Sequence, residues 1–293
     1  MAIQMQVAHS SRVKGVAVFA AGPYYCAQGS LWAAYYNCTT PSDLTPLPAP
    51  EVLRTHADRL AREGQIDPVA NLSAARVWFF SGGQDRTVDR SVVQAAMRFY
   101  TSFNARPYAF VDDKGAGHAM ITAGAGNACG SSSSPFINDC DYDAAGGLLE
   151  HLLGPLKPAA EKEGGRLVEF DQKPFAAGNP YSISLADDGY AYVPAACATE
   201  HCRVHVAFHG CRQSADHVGE RFAREAGYNR WADTNRLIVL YPQTIARYFF
   251  VYNPRGCWDW WGYTGTQYAT KAAPQIRAVM AMVARLGEPR DGP

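Results

Sequence analysis

Residues 76–85 read Arg-Val-Trp-Phe-Phe-Ser-Gly-Gly-Gln-Asp, and their reading decides how the rest of the chain is organised. Arg76 to Ser81 is a β-branched and aromatic run with no polar alternation, the pattern of a strand buried on both faces. Gly82 and Gly83 let the chain turn sharply, so Asp85 places a carboxylate at the carboxyl end of that strand. In parallel α/β sheets, functional groups gather at such ends.

Working outward, the same alternation recurs in both directions. After Asp85, residues 89–103 form an amphipathic helix, 108–111 a strand that runs into Asp112-Asp113-Lys114-Gly115-Ala116-Gly117-His118, and 142–153 a further helix. Before it, 14–21 (KGVAVFAA) is a buried strand, and 50–63 is a helix with Pro near its start and Gly64 as its stop. Residues 1–12 continue a helix, with Met1, Met5 and Ala8 on one face. A Pro-, Glu- and Lys-bearing connector at 155–165 leads to short Tyr-rich strands over 166–193. A strand at 204–208 then runs into His209-Gly210-Cys211, followed by a helix at 220–235, a strand at 237–241 and a last helix at 269–286. Strands and helices alternating at these lengths predict an α/β fold over residues 1–293 as a single domain, with a mostly parallel sheet and helices on both faces. No repeat interrupts it.

Composition excludes several function classes. Lys and Arg total 27 against 27 Asp and Glu, so no basic field is available to bind nucleic acid or anionic lipid. No apolar run reaches the ~18 residues of a membrane span. The eight cysteines form an even set that suits an oxidising, extracellular compartment. They allow 105 connectivities. The pairing Cys26–Cys38, Cys129–Cys140, Cys197–Cys202 and Cys211–Cys257 is preferred because it closes three local loops and one long one, and the Gly-, Ser- and Pro-bearing Cys129–Cys140 segment can turn back on itself. Zinc is the weaker reading, since no C-x2-C pair occurs. His205 and His209 are four apart, but on a strand that separates them by about 13 Å, so no metal is expected there. Met1 to Ala8 has neither the basic nor the apolar region of a signal peptide. An exported-looking chain without an export signal is expected to begin downstream of its true start. Asn37-Cys38-Thr39 and Asn71-Leu72-Ser73 are glycosylation sequons, meaningful only in a eukaryotic secretory host.

Asp85 and His118 follow successive strands, acid before histidine, the order in which α/β-hydrolases place the orienting carboxylate and the general base. The carboxylate would fix the imidazole tautomer and stabilise the imidazolium. Alone, Asp85 reads equally as a turn cap and His118 as a surface histidine. His209-Gly210-Cys211 ends a strand as the HG loop of hydrolases does, which makes the Cys211 N–H a candidate oxyanion donor. The segment Cys257-Trp258-Asp259-Trp260-Trp261-Gly262-Tyr263 holds three of the six tryptophans. Trp258, next to Cys257, is the ring expected to line a cleft. The order acid, histidine, oxyanion loop is circularly permuted relative to ordinary α/β-hydrolases, and no G-x-S-x-G nucleophile motif occurs.

Several stretches together resemble the secreted polyhydroxybutyrate (PHB) depolymerases with a circularly permuted α/β-hydrolase domain. They are Met1 to Ser10, Phe19-Ala20-Ala21-Gly22-Pro23-Tyr24-Tyr25-Cys26, Gly82 to Val88, Gly115 to His118, His209-Gly210-Cys211-Arg212-Gln213, and Asn253 to Tyr263. The resemblance implies Asp85 and His118 in a triad, Cys211 N–H in the oxyanion hole, and Trp258 in the substrate cleft. It implies a serine in a lipase box about five residues before Met1, so serine, second oxyanion donor and nucleophile strand are expected to lie upstream. The expected activity is hydrolysis of poly(3-hydroxybutyrate) or related short-chain polyesters without cofactor, with residues 1–293 alone inactive. The rival expectations are an esterase of feruloyl or acetylxylan type, and an inactive polymer- or carbohydrate-binding homologue.

Overall fold

The computed structural model describes residues 1–106, 108–249 and 251–287. In chain order the elements are α1 (Ala2–Ala8), β1 (Gly15–Phe19), α2 (Leu31–Tyr36), α3 (Pro50–Arg62), β2 (Arg76–Phe80), α4 (Arg90–Thr101), β3 (Tyr108–Val111), β4 (Met120–Thr122), β5 (Asn127–Ala128), β6 (Ile137–Asp139) and α5 (Ala144–Leu153). There follow β7 (Arg166–Asp171), β8 (Asp188–Val193), β9 (Arg203–Val206), α6 (Ala215–Val218), α7 (Arg221–Glu225), α8 (Tyr228–Asn235), β10 (Leu237–Tyr241) and α9 (Pro274–Gly287).

Two main sheets carry the layer. The first has the order β1-β2-β3 and is parallel throughout. The second has the order β7-β8-β10-β9, antiparallel across β7-β8 and β8-β10 and parallel across β10-β9. The two-residue period of β2 divides its side chains between two cores. Val77 and Phe79 join α1, α3, α4 and α9, whereas Trp78 and Phe80 join α5, α7 and α8. The second sheet enters both cores as well, through Leu240 and the half-buried Val204 and Val206 on one side and Tyr192, Val239 and Tyr241 on the other. Both sheets therefore lie in one layer covered by helices on each face, an α/β-hydrolase-like arrangement.

Neither β1 nor β9 has a second strand partner among the described residues. Both contribute to the same core, Val16 and Val18 from β1 and Val204 and Val206 from β9. Two open strand edges thus border one apolar interior.

Several elements differ from the sequence reading, α2 among them, for which no helix was expected. The helix expected over 220–235 is broken into α7 and α8, because Gly227 adopts φ +90 where a helix would have to continue, and an added Cβ would lie 3.2 Å from Ala145. The last helix starts at Pro274, not at 269, since Pro suits the first helical turn and disfavours helical backbone in the residue before it. The short strands β4, β5 and β6 form a third, parallel sheet in a Gly- and Ser-rich segment that periodicity could not resolve. All four disulfides are formed, Cys26–Cys38, Cys129–Cys140, Cys197–Cys202 and Cys211–Cys257.

Candidate active site

Asp85 and His118 meet beyond the carboxyl ends of β2 and β3. The Gly82-Gly83-Gln84-Asp85 turn docks on the loop before His118. Gly83 N–H donates to Lys114 O at 2.8 Å and Gln84 N–H to Ala116 O at 2.9 Å. Gly82 must be glycine here, because an added Cβ would lie 2.3 Å from Ala116 O. The close approach of the two loops brings Asp85 Oδ2 to 2.8 Å from His118 Nδ1. The other oxygen, Oδ1, accepts from the N–H groups of Thr87 at 2.7 Å and Val88 at 3.0 Å.

The Asp85 side chain is 1% exposed and that of His118 is 32% exposed. Burial by itself would raise the Asp85 carboxyl, but the His118 ring and the two backbone amides outweigh it and hold the group below its usual range. A carboxylate is an acceptor only, so Nδ1 of His118 carries the proton and Nε2 is left as the basic nitrogen. The pair can therefore accept a proton at Nε2 and stabilise the resulting imidazolium.

The disulfide-closed segment between Cys129 and Cys140 supports His118 from the other side. Its backbone N–H donates to Ser132 Oγ at 2.8 Å, and Gly117 N–H donates to Cys129 O at 2.9 Å. A Cβ on Gly117 would lie 2.1 Å from Ser131 O. No serine hydroxyl among the described residues is hydrogen-bonded to the His118 ring; Ser132 meets only its backbone.

Cys211 occupies the turn after β9. The amides around it are engaged: Gly210 N–H with Gln213 Oε1 at 2.8 Å, Arg212 N–H with Arg255 O at 2.7 Å, and Gln213 N–H with Gly210 O at 3.1 Å. The Cys211 N–H makes no hydrogen bond among the described residues and is free to serve as a donor. Gln213 links this turn to the histidine loop, since its Nε2 donates to Phe136 O at 2.8 Å and Pro135 O at 3.2 Å. Gln213 and Ser132 are the residues that sequence reasoning missed; the signal available was a polar Gln inside His209-Gly210-Cys211-Arg212-Gln213, to which no role was attached.

Trp258 was expected at the edge of an open cleft. Instead it is 4% exposed, with Phe208 and His209 packed against its ring at centroid distances of 5.0 and 5.6 Å. The Cys211–Cys257 bridge draws it in behind the turn, and its buried Nε1 has no partner among the described residues. Asp259 organises the following loop. Its carboxylate accepts from the N–H groups of Trp261, Gly262, Tyr263 and Thr264 and from Thr264 Oγ1 at 2.6 Å. Burial pushes the Met1 α-amine down to about 5, against the attraction of Asp259. Among the described residues no cluster of His, Cys, Asp or Glu could hold a metal ion.

The chain is similar to several known proteins. The family model described as Esterase PHB depolymerase matches residues 188–290. A poly(3-hydroxybutyrate) depolymerase of Delftia acidovorans is 40% identical over 299 residues, covering 100% of this chain and 58% of its own length. The chain thus spans little more than half of that relative. The solved PHB depolymerase from Penicillium funiculosum superposes with a TM-score of 0.85 at 32% identity, over 96% of this chain and 89% of that one. A second solved structure, a serine-to-alanine PHB depolymerase complexed with R3HB trimer, matches with the same score and identity over 90% of its length. A polyhydroxybutyrate depolymerase of Talaromyces funiculosus is 35% identical over 305 residues, which cover 98% of this chain and 86% of that relative, and on this evidence the chain belongs to the PHB depolymerase family.

Proposed function

We propose that the protein is a secreted serine esterase whose single catalytic unit hydrolyses ester bonds of poly(3-hydroxybutyrate) or related short-chain polyesters. The observation that carries this reading is the buried Asp85 carboxylate 2.8 Å from His118 Nδ1, which leaves a basic Nε2 at a half-exposed ring. His118 takes the proton of a serine hydroxyl as its oxygen attacks the ester carbonyl, and returns it to the leaving alkoxide. Water then attacks the acyl-enzyme by the same route. The Cys211 N–H and the N–H following the serine stabilise the oxyanion.

The serine is assigned to sequence adjoining Met1 on its N-terminal side. The open edges of β1 and β9 support this assignment, because a strand entering between them would satisfy both rows of backbone groups and join the two sheets. That a serine-to-alanine depolymerase was the form complexed with R3HB trimer fits a serine nucleophile.

An exposed aromatic surface favours a polymer over a small soluble ester. Trp32, Tyr35 and Tyr36 on α2 are 64%, 44% and 45% exposed, and Tyr252 is 62% exposed. Arg255, three residues after Tyr252, lies with Cζ 5.5 Å from the Tyr35 ring. Four disulfides suit an extracellular setting. The test is a turbid suspension of poly(3-hydroxybutyrate) treated with the chain joined to the sequence that precedes residue 1 in its gene. Clearing that is lost on His118→Ala supports the reading, while binding without clearing would leave a polymer-binding homologue.

A further inference from the structure

Gly210 and Cys211 share one peptide unit, so the carbonyl of the first and the N–H of the second point in opposite directions from one plane. Whatever holds that carbonyl aims that N–H. His209 Nδ1 lies 2.8 Å from Gly210 O, and His209 Nε2 lies 3.2 Å from the Thr244 backbone nitrogen. A carbonyl oxygen only accepts and a backbone N–H only donates, so the ring satisfies both only as the neutral tautomer with its proton on Nδ1. The ring is 3% exposed and packs between Trp258 and Phe222, at centroid distances of 5.6 and 6.5 Å. Burial keeps it neutral.

Thr244 extends the hold. Its hydroxyl donates to Gly256 O at 2.7 Å, the residue before Cys257, so His209 and Thr244 tie together the two backbone segments that the Cys211–Cys257 disulfide joins. On its other side, the Gly210 N–H is fixed by Gln213.

The geometry points to His209 as a positioning residue for the oxyanion hole: by donating from Nδ1 to the Gly210 carbonyl, it sets the direction in which the Cys211 N–H is presented to the substrate oxygen. This rests on the reading of Cys211 as an oxyanion donor. A rotated Gly210–Cys211 peptide would offer that oxygen a carbonyl in place of an N–H, which repels the developing charge. Polarisation through the hydrogen bond also strengthens the N–H as a donor.

The first test needs no activity. Nitrogen-15 NMR of the chain should show His209 as the Nδ1–H tautomer, and the Cys211 amide resonance should move in His209→Leu but stay close to its original position in His209→Asn. Asparagine places a donor where Nδ1 stood. An Nε2–H tautomer, or a Cys211 amide indifferent to both changes, overturns the proposal. In the chain extended by its upstream sequence, His209→Leu should lower kcat by about 10- to 100-fold with KM little changed, since one oxyanion donor is worth about 10²- to 10³-fold and is here misdirected, not deleted. His209→Asn should recover most of that loss. Equal losses in both variants, or a change confined to KM, contradict the assignment. Should the Leu variant not fold, the wild-type tautomer and the Asn variant still decide the matter. If the extended wild type hydrolyses no ester while the spectra behave as described, the functional reading fails and the control of the Cys211 amide by His209 stands.

Discussion

Asp85 is anchored by three hydrogen bonds, and only one of them reaches His118. The two backbone donors fix the carboxylate whether or not the imidazole is charged, so the acid acts as a rigid post that selects the tautomer. Asp85→Asn should therefore keep the fold but favour the wrong tautomer, lowering kcat by about 10⁴-fold, the scale of this change in serine protease triads. His118→Ala should abolish turnover. The folded pKa of Asp85 lies below its ordinary value, so the carboxylate contributes stability at all pH values above that ordinary value and loses it as the pH falls through the folded value. Thermal melts followed from neutral to acid pH should show a destabilisation limb that is smaller in Asp85→Asn; identical limbs would mean that the hydrogen bonds at Asp85 add nothing. Asp85, His118 and Cys211 could be singled out in the sequence because each lies in a loop after a strand that its own residues announce, and the structure brings Asp85 and His118 together. Ser132, Gln213 and Thr244 were not legible in this way, since each acts through partners that only the folded chain brings near.

At the scale of elements, the site is made by loops that approach more closely than side chains allow. Gly117→Ala would drive a Cβ to 2.1 Å from Ser131 O, and should destabilise by about 2–3 kcal/mol while displacing His118. Loss of activity beyond what the melting temperature explains would show that displacement; unchanged kcat would contradict it. The Cys211–Cys257 bridge spans 46 residues of sequence, for which chain-entropy arguments give about 4 kcal/mol. Replacing both cysteines by serine should lower the melting temperature and kcat together, the second because the Cys211 turn loses its attachment to the Trp258 loop. Strands such as β2 and β10 were readable from their apolar runs. The break at Gly227 and the small β4-β6-β5 sheet were not, because a positive φ and three-residue strands leave no periodic trace.

For the molecule as a whole, two sheets share both cores yet, among the described residues, are not hydrogen-bonded to each other. The open edges of β1 and β9 border one core, and the proposal is that a nucleophile strand contributed from before Met1 lies between them. Composition and alternation made the covered sheet legible, whereas the mixed direction of the second sheet depends on the tyrosine-rich β7 and β8, whose partners no local pattern identifies. The most direct measurement is hydrolysis of p-nitrophenyl butyrate by residues 1–293, compared with the same chain joined to the sequence that precedes residue 1 in its gene. The account predicts no turnover by the first and turnover abolished by His118→Ala in the second. Robust hydrolysis by residues 1–293 alone, or activity in the extended chain that survives loss of His118, would contradict it.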